Sequence, residues 1–431
     1  MWLAVSYYTL IKDASDVVII KVVRIEGQQY GEKAIGYVQR TLKGTIQSDS
    51  IELPFVYRSW PTEKGMVTTS DIVPVSFEVG KRYVALLQKW HPRSSFGDPR
   101  TAETEYEVLN YPKRTFFEIA DDEDPRLLET EQLLKIADDP DPGAGIDSLI
   151  SMIHSNKKEM RIDAIEALTD IRTEDAARPF ISVLRNDPDP SVRYSAALGL
   201  GYLHSDTVVS ALMECLQKES AKNVRYQIIG SLGMLRAKAA APVLLGLYET
   251  EGYDIRNAIL TTISQLRDSA AVPSLIHFFS VDRDMQHRHL MAQTIASFHT
   301  FEADEFSTTL LDTTSSYWLK SAIIDGWGES GYTKGFGRIV RWASIPFDTV
   351  MRKSKSTAGI QGLVIQALHA ISKLGTPEQV ASILKAYSSC DDSGVRQMAF
   401  LVLRELLAKD ITPELREKIE EEIKTFPSEG Q

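Results

Sequence analysis

Val192-Arg193-Tyr194-Ser195-Ala196-Ala197-Leu198-Gly199-Leu200-Gly201 returns 32 residues later as Val224-Arg225-Tyr226-Gln227-Ile228-Ile229-Gly230-Ser231-Leu232-Gly233. Extended both ways, the basic position reads Arg161, Arg193, Arg225, Arg256, Arg288 and Lys320, then Gln361 and Arg396. The steps are 32, 32, 31, 32, 32, 41 and 35 residues. Seven residues after each stands a large apolar residue: Leu168, Leu200, Leu232, Ile263, Ile295, Trp327, Leu368 and Leu403. Two independent columns that keep one step over eight copies mark a repeat protein.

Within one unit Val192, Ala196, Gly199, Leu200 and Leu203 recur at steps of three and four, one face of a helix. A second apolar run precedes it, such as Pro179-Phe180-Ile181-Ser182-Val183-Leu184. Between the two lies Asp187-Pro188-Asp189-Pro190, a stop followed by an N-cap Asp and a Pro at the first helical position. Each unit is thus a helix pair too small to bury its own apolar face, and stacking the pairs yields a solenoid.

The string Asp-Pro-Asp-Pro-Ser-Val-Arg-Tyr-Ser-Ala-Ala-Leu-Gly-Leu-Gly at 187–201 resembles the short HEAT repeat first catalogued in phycobilisome lyases. The resemblance spans 146–408 and implies an α-solenoid. It implies little about activity, because lyases, nucleic-acid enzymes and scaffolds all use this repeat.

The net charge of −11 is concentrated at one place. Residues 1–120 hold 15 basic and 14 acidic side chains, 121–145 hold 2 and 9, and 146–431 hold 31 and 36. A duplex-binding role, which needs a basic face, is disfavoured. No apolar run approaches the roughly 18 residues of a membrane span. Of the two cysteines, Cys215 takes the place of Val183 one repeat earlier, an apolar core position, and the pair is too far apart in a solenoid to suggest a disulfide.

Residues 16–119 change period to short β-branched runs at 16–25, 34–40, 50–55, 81–87, 105–110 and 115–119, separated by Gly27, Gly44, Gly80 and 110–112. They predict a small closed or sandwiched β domain. Ser-Asp-Val-Val-Ile-Ile-Lys-Val-Val at 15–23, Thr-Leu-Lys-Gly at 41–44 and Val-Gly-Lys-Arg-Tyr-Val at 79–84 resemble bacterial relatives of the netrin-like, metalloprotease-inhibitor OB-fold domain. In inhibitors of that family an N-terminal Cys chelates the protease zinc; no Cys precedes 215 here, so that mechanism is unsupported. Barrel aromatics (Tyr30, Tyr37, Tyr57, Trp60, Tyr83, Trp90 and Tyr106) could grip oligonucleotides or sugars, or simply fill core and rim. The segment 56–75 reads as a mobile loop.

Three surface features are candidates for binding. Positions one, five and nine after the ladder residue share a helix face. They read Ile162/Glu166/Asp170, Tyr194/Leu198/Tyr202, Tyr226/Gly230/Met234, Asn257/Thr261/Gln265, His289/Gln293/Ser297 and Ser321/Asp325/Glu329. The aromatic and apolar set Tyr194, Leu198, Tyr202, Tyr226 and Met234 reads as a peptide-binding groove or as packing against a neighbour. The longest step contains Lys334, Arg338, Arg341, Arg352, Lys353 and Lys355, with Asp348 the one acid between 331 and 358, and reads as an insertion loop for an anion or acidic partner. The ladder Arg161, Arg193, Arg225, Arg256, Arg288 and Arg396 reads as structural, bridging adjacent units.

No catalytic or metal-binding pattern emerges: His287 and His289 point to different sides of a helix, and the His-Glu pairs that HEAT-type di-iron hydroxylases repeat are absent from the sequence. The expectation is an N-terminal all-β OB-like barrel (1–120), an acidic connecting helix and hinge (121–145), an all-α HEAT-type superhelical solenoid of about eight repeats (146–408), and a capping helix and tail (409–431). The expected role is a monomeric, non-enzymatic scaffold for proteins or peptides, with no cofactor and no metal. Chromophore lyase or chaperone activity, and single-stranded nucleic-acid or saccharide binding by the first domain, are the rival readings. The first domain's resemblance leans to the bacterial envelope; without an upstream signal the chain would be cytoplasmic.

Overall fold

The computed structural model describes residues 7–28, 31–46, 49–54, 59–62, 65–68, 78–89, 106–108, 116–137, 142–343, 357–388, 390 and 392–426. The chain divides into two compact units, Met1–Ser231 and Leu232–Gln431.

The first unit opens with helix α1 (Tyr7–Asp13) and strands β1 (Asp16–Gln28), β2 (Gly31–Lys43), β3 (Ser50–Pro54), β4 (Ser59–Thr62), β5 (Gly65–Thr68), β6 (Arg82–Lys89), β7 (Tyr106–Val108) and β8 (Phe116–Ile119). All the expected runs are strands. β1 lies at the centre between β2 and β6, β3 extends the sheet from β2, and β7 and β8 both pair with β6. Every ladder is antiparallel. Among the described residues no ladder joins the β3 edge to β7 or β8, so the sheet is open where a closed barrel was expected. Part of the expected loop 56–75 is a separate β4–β5 hairpin.

Val18, Ile20, Val22, Ala34, Leu53, Ala85 and Leu87 form the core on one face of this sheet. Val17, Ile19, Val84 and Leu86 are equally buried, so the central strands are covered on both sides. The buried Asp16 carboxylate accepts from the N–H groups of Thr45 (2.8 Å) and Ile46 (3.3 Å) and from the Ser15 hydroxyl (2.9 Å). This pins the turn after β2. Gly44 sits there at φ +95°, and a Cβ would lie 2.1 Å from Asp16 Oδ1, so only glycine fits. Tyr83 is buried, with its hydroxyl accepting from the Glu78 N–H (3.0 Å), and Tyr37 is half exposed. Tyr30, Tyr57 and Trp90 lie outside the described residues.

Helix α2 (Pro125–Ala137) follows the sheet and buries Leu127, Leu133, Leu134 and Ile136. Of the hinge expected at 138–145, residues 138–141 lie outside the described residues, whereas Pro142 to Gly145 are the first turn of the next helix and not a break. Three helix pairs complete the unit: α3 (Pro142–Met152) with α4 (Lys158–Ile171), α5 (Ala177–Asn186) with α6 (Pro190–Leu200), and α7 (Asp206–Lys218) with α8 (Lys222–Met234). Gly199 marks a close crossing of α6 with its neighbours: a Cβ there would meet Phe180 at 2.5 Å and Thr169 Oγ1 at 2.6 Å.

In the second unit α9 (Ala241–Leu247) pairs with α10 (Tyr253–Leu266), α11 (Val272–Val281) with α12 (Met285–Ala296), and α13 (Phe301–Thr313) with α14 (Tyr317–Ser330). Then α15 (Phe336–Ala343) pairs with α16 (Thr357–Leu374), α17 (Pro377–Leu384) with α18 (Ser393–Leu407), and α19 (Pro413–Lys424) closes the series. The Asp-Pro signal acts as expected: Asp189 accepts from Ser191 N–H (2.8 Å) and Pro190 starts α6. All eight apolar residues of the second column are buried. Among the described residues no helix is long and apolar enough to cross a membrane.

The basic column has two jobs. Four of the guanidinium groups reach back to carbonyls at the end of the preceding helix: Arg161 to Ser155 (3.1 Å), Arg193 to Asp187 (2.9 Å), Arg225 to Leu216 (2.6 Å) and Arg256 to Glu251 (2.8 Å). Lys320 does the same to Leu311 (2.6 Å) and Arg396 to Cys390. Those carbonyls have no partner inside their own helix, so the column satisfies them. Several members also fork forward to a carboxylate 26 residues on. Arg161 binds both oxygens of Asp187 (2.7 and 3.0 Å), Arg193 both of Glu219 (2.8 Å each), and Arg256 approaches Asp282 (3.7 Å).

At Arg288 the equivalent forward residue is Thr314. Its guanidinium lies over Phe279, 4.4 Å from the ring centroid, and its buried Nε has no hydrogen-bond partner. Gln361 substitutes an amide, donating to Asp392 (3.1 Å).

The Arg193 fork holds the Glu219 carboxyl below its ordinary value of 4.5. Both side chains are largely buried, so Arg193→Met leaves the Glu219 carboxylate with only the Ser220 and Ala221 N–H groups and should cost about 3 kcal/mol in urea unfolding at pH 7. A depressed folded-state pKa gives stability that is present above the unfolded value and lost as pH falls through the folded one. The gap between wild type and variant should therefore close progressively below about pH 4.5.

Candidate interaction surface

In the first unit α6 and α8 pack side by side, with Ser231 Oγ donating to the Ala197 carbonyl (2.8 Å). Tyr194 and Leu198 lie half-buried along α6. Tyr202, just past its end, is half-buried under the Arg172 guanidinium, which stands 5.1 Å from the ring centroid. Tyr226 on α8 is 52% exposed. One turn further on, a Cβ at Gly230 would meet nothing within 4 Å, which leaves a notch beside the Tyr226 ring. Tyr226 is thus the exposed member of the set, with Tyr194, Leu198 and Tyr202 partly covered on or next to the neighbouring helix. Met234, the fifth member expected there, closes helix α8 and is 40% exposed.

The same columns turn polar in the second unit. His289 on α12 stacks on Trp318 of α14, with ring centroids 4.4 Å apart and planes at 20°. Burial lowers the His289 pKa. Gln293, one turn along α12, donates to the Asp325 carboxylate. Glu329, a turn beyond Asp325, makes an ion pair with Lys373 of α16 and lies 3.9 Å from His369 Nε2. Burial, and then the nearby Glu329 charge, raise the Asp325 pKa above its ordinary 3.8. The residues of this face stand in the column pattern of the sequence. What sequence reading missed is Trp318, which lies outside the one-five-nine positions and supplies the aromatic partner.

The basic segment is a correction. Lys334 sits in a short 3-10 turn, while Arg338 and Arg341 lie on helix α15, not on a loop. Phe336, Ile339, Val340 and Ala343 keep helical spacing, and Ile339 and Ala343 are buried, which draws this stretch into the repeat. Arg338 is bound to Asp312 (2.6 Å). Arg352, Lys353 and Lys355 lie outside the described residues.

His287 is buried, with Nδ1 3.2 Å from Asp282 Oδ2, and faces away from His289. Tyr248 donates to the same carboxylate (2.6 Å), so Asp282 ties Tyr248, Arg256 and His287 together. Among the described residues no group of three His, Cys, Asp or Glu side chains is placed to hold a metal ion. Cys215 and Cys390 are buried and not joined in a disulfide, and burial raises the Cys215 thiol. An open groove of about 570 Å³ lies between α11 and α13, floored by Ile276, Phe306 and Leu310 and rimmed by Glu302 and Glu305.

A family model described as HEAT repeats matches residues 177–264 and 209–296. Residues 177–296 accordingly match HEAT repeats, and the match leaves the N-terminal sheet and the later helices without a family. No curated protein matches the chain. Among solved structures it is similar to the CpcE–CpcF complex of phycocyanin lyase from Nostoc sp. PCC7120, at 16% identity over 65% of this chain and 94% of that one, TM-score 0.34. It is also similar to Escherichia coli YibA, at 17% over 64% and 92%, TM-score 0.32. An engineered protein shares 14% over 69% and 95%, TM-score 0.33. Likenesses this low bear on neither activity nor ligand.

Asp325→Asn keeps an acceptor for Gln293 and removes a poorly solvated charge. A raised folded-state pKa means that the carboxyl adds stability only while protonated, and this is lost as pH rises through the folded value. The variant should melt higher than wild type at pH 7, and the difference should vanish below the ordinary value of 3.8. Melting curves from pH 3 to 8 with Glu329, His369 and Lys373 unchanged check this.

Proposed function

We propose that the chain is a non-enzymatic adaptor that captures a protein or peptide on the exposed face of its second helices. HEAT solenoids are generally protein-binding, and the observation that carries the reading here is the aromatic face of α6 and α8. Tyr226 projects half exposed beside the open notch at Gly230, with Tyr194, Leu198 and Tyr202 alongside. A plain solvated helix face would carry charges at these positions. Aromatic side chains offer large contact area at low entropic cost, and clusters of them mark partner surfaces.

Two variants separate binding from folding. Tyr226→Ala removes a half-exposed ring, and Gly230→Leu fills the notch at a helical site where the added side chain meets open space. Each should lose the partner captured by wild type from its native cell, as read by mass spectrometry, while the melting temperature of Gly230→Leu rises slightly. Capture unchanged in both variants would remove the reading.

A further inference from the structure

We propose that the exposed face of α14 in the second unit binds an extended, arginine-containing segment of a protein partner. One guanidinium lies on the Trp318 ring and a second meets the Asp325 carboxylate. The proposal adds partner chemistry to the protein-binding reading, but uses residues of the other unit, so each can fail alone.

Trp318 and Asp325 are seven residues apart on one helix. At 100° and 1.5 Å per residue they fall about 20° apart around the axis and about 10 Å apart along it. Both turn toward α12, since Trp318 stacks on His289 and Asp325 accepts from Gln293. His289 covers one side of the indole, yet Trp318 stays 44% exposed, a rigid ring held in place by the stack.

Asp325 is half-buried and takes an amide donor, not a cation. The cations nearest to it on α16, Lys373 and His369, are engaged by Glu329. Among the described residues no basic side chain lies within ion-pair distance of Asp325, and His369 and Lys373 act on it only from further off. Burial accordingly pushes its pKa up.

A guanidinium answers both features. It is more weakly hydrated than an ammonium, stacks on indole, and forks onto a carboxylate. In a polyproline II chain residues i and i+3 lie on the same side about 9 Å apart, close to the separation of the two subsites. The fitting segment is therefore Arg-x-x-Arg in an extended conformation.

The test is fluorescence anisotropy of the full chain with fluorescein-labelled Gly-Arg-Pro-Pro-Arg-Gly and its diglutamate and dilysine counterparts. The arginine peptide should bind, the lysine peptide more weakly, and the glutamate peptide not at all. Asp325→Asn and Trp318→Ala should each weaken arginine-peptide binding about tenfold. Asp325→Asn relieves a half-buried charge and so keeps the fold, which makes its result decisive even if Trp318→Ala loses stability. Absence of binding to wild type, or equal binding by Asp325→Asn, overturns the proposal. Neither outcome touches the Tyr226 surface, whose test uses a different partner and different variants.

Discussion

Helix pairs of this size leave a hard problem at each first-helix end, where carbonyl oxygens have no partner within the helix and sit close to the next element. The column beginning with Arg161 solves it by sending a cation back from the second helix to those carbonyls. Because the same guanidinium has a second edge, it also reaches the carboxylate that opens the following unit, as Arg161 and Arg193 do. One side chain thereby fixes the turn within its own pair and the register to the next. Lysine at 320 has a point charge and no fork, and it keeps only the backward bond plus a contact over Trp342. The apolar column seven residues on is buried because this register is held.

Much of the helical region was legible because its physics is local and periodic. Asp189-Pro190 announces a helix start by chemistry that needs no knowledge of the fold, and the Leu168-to-Leu403 column announces the core by spacing alone. The forward carboxylates were also readable in principle, since Asp187, Glu219 and Asp282 stand 26 residues after their arginines. The open sheet was not legible. Alternation tells which residues form strands, but closure depends on whether β3 meets β7 or β8, a long-range geometry that no run of residues records. Helix α15 was hidden for another reason: glycines at 331, 335 and 337 suggested a loop, and burial of Ile339 and Ala343 overrode them.

The exposed faces show the same division. Tyr194, Leu198, Tyr202 and Tyr226 could be placed together from column arithmetic, and the structure sets them on neighbouring helices. Met234 followed the same arithmetic and ends the helix that carries Tyr226. Trp318 escaped it, because a stacking partner is chosen by the side-chain reach of His289 and not by the repeat.

The missing carboxylate opposite Arg288 has a consequence for how strain would travel. Where Arg161 meets Asp187 and Arg193 meets Glu219, neighbouring pairs are latched by opposite charges, which hold at short range and slacken in salt or acid. At Arg288 no acid stands at the equivalent place, and the guanidinium lies on Phe279 of its own pair, a contact that salt hardly alters. Within the second unit the joint after Arg288 thus lacks the charged clasp that Arg256 offers Asp282, and a load along those helices would meet less resistance there.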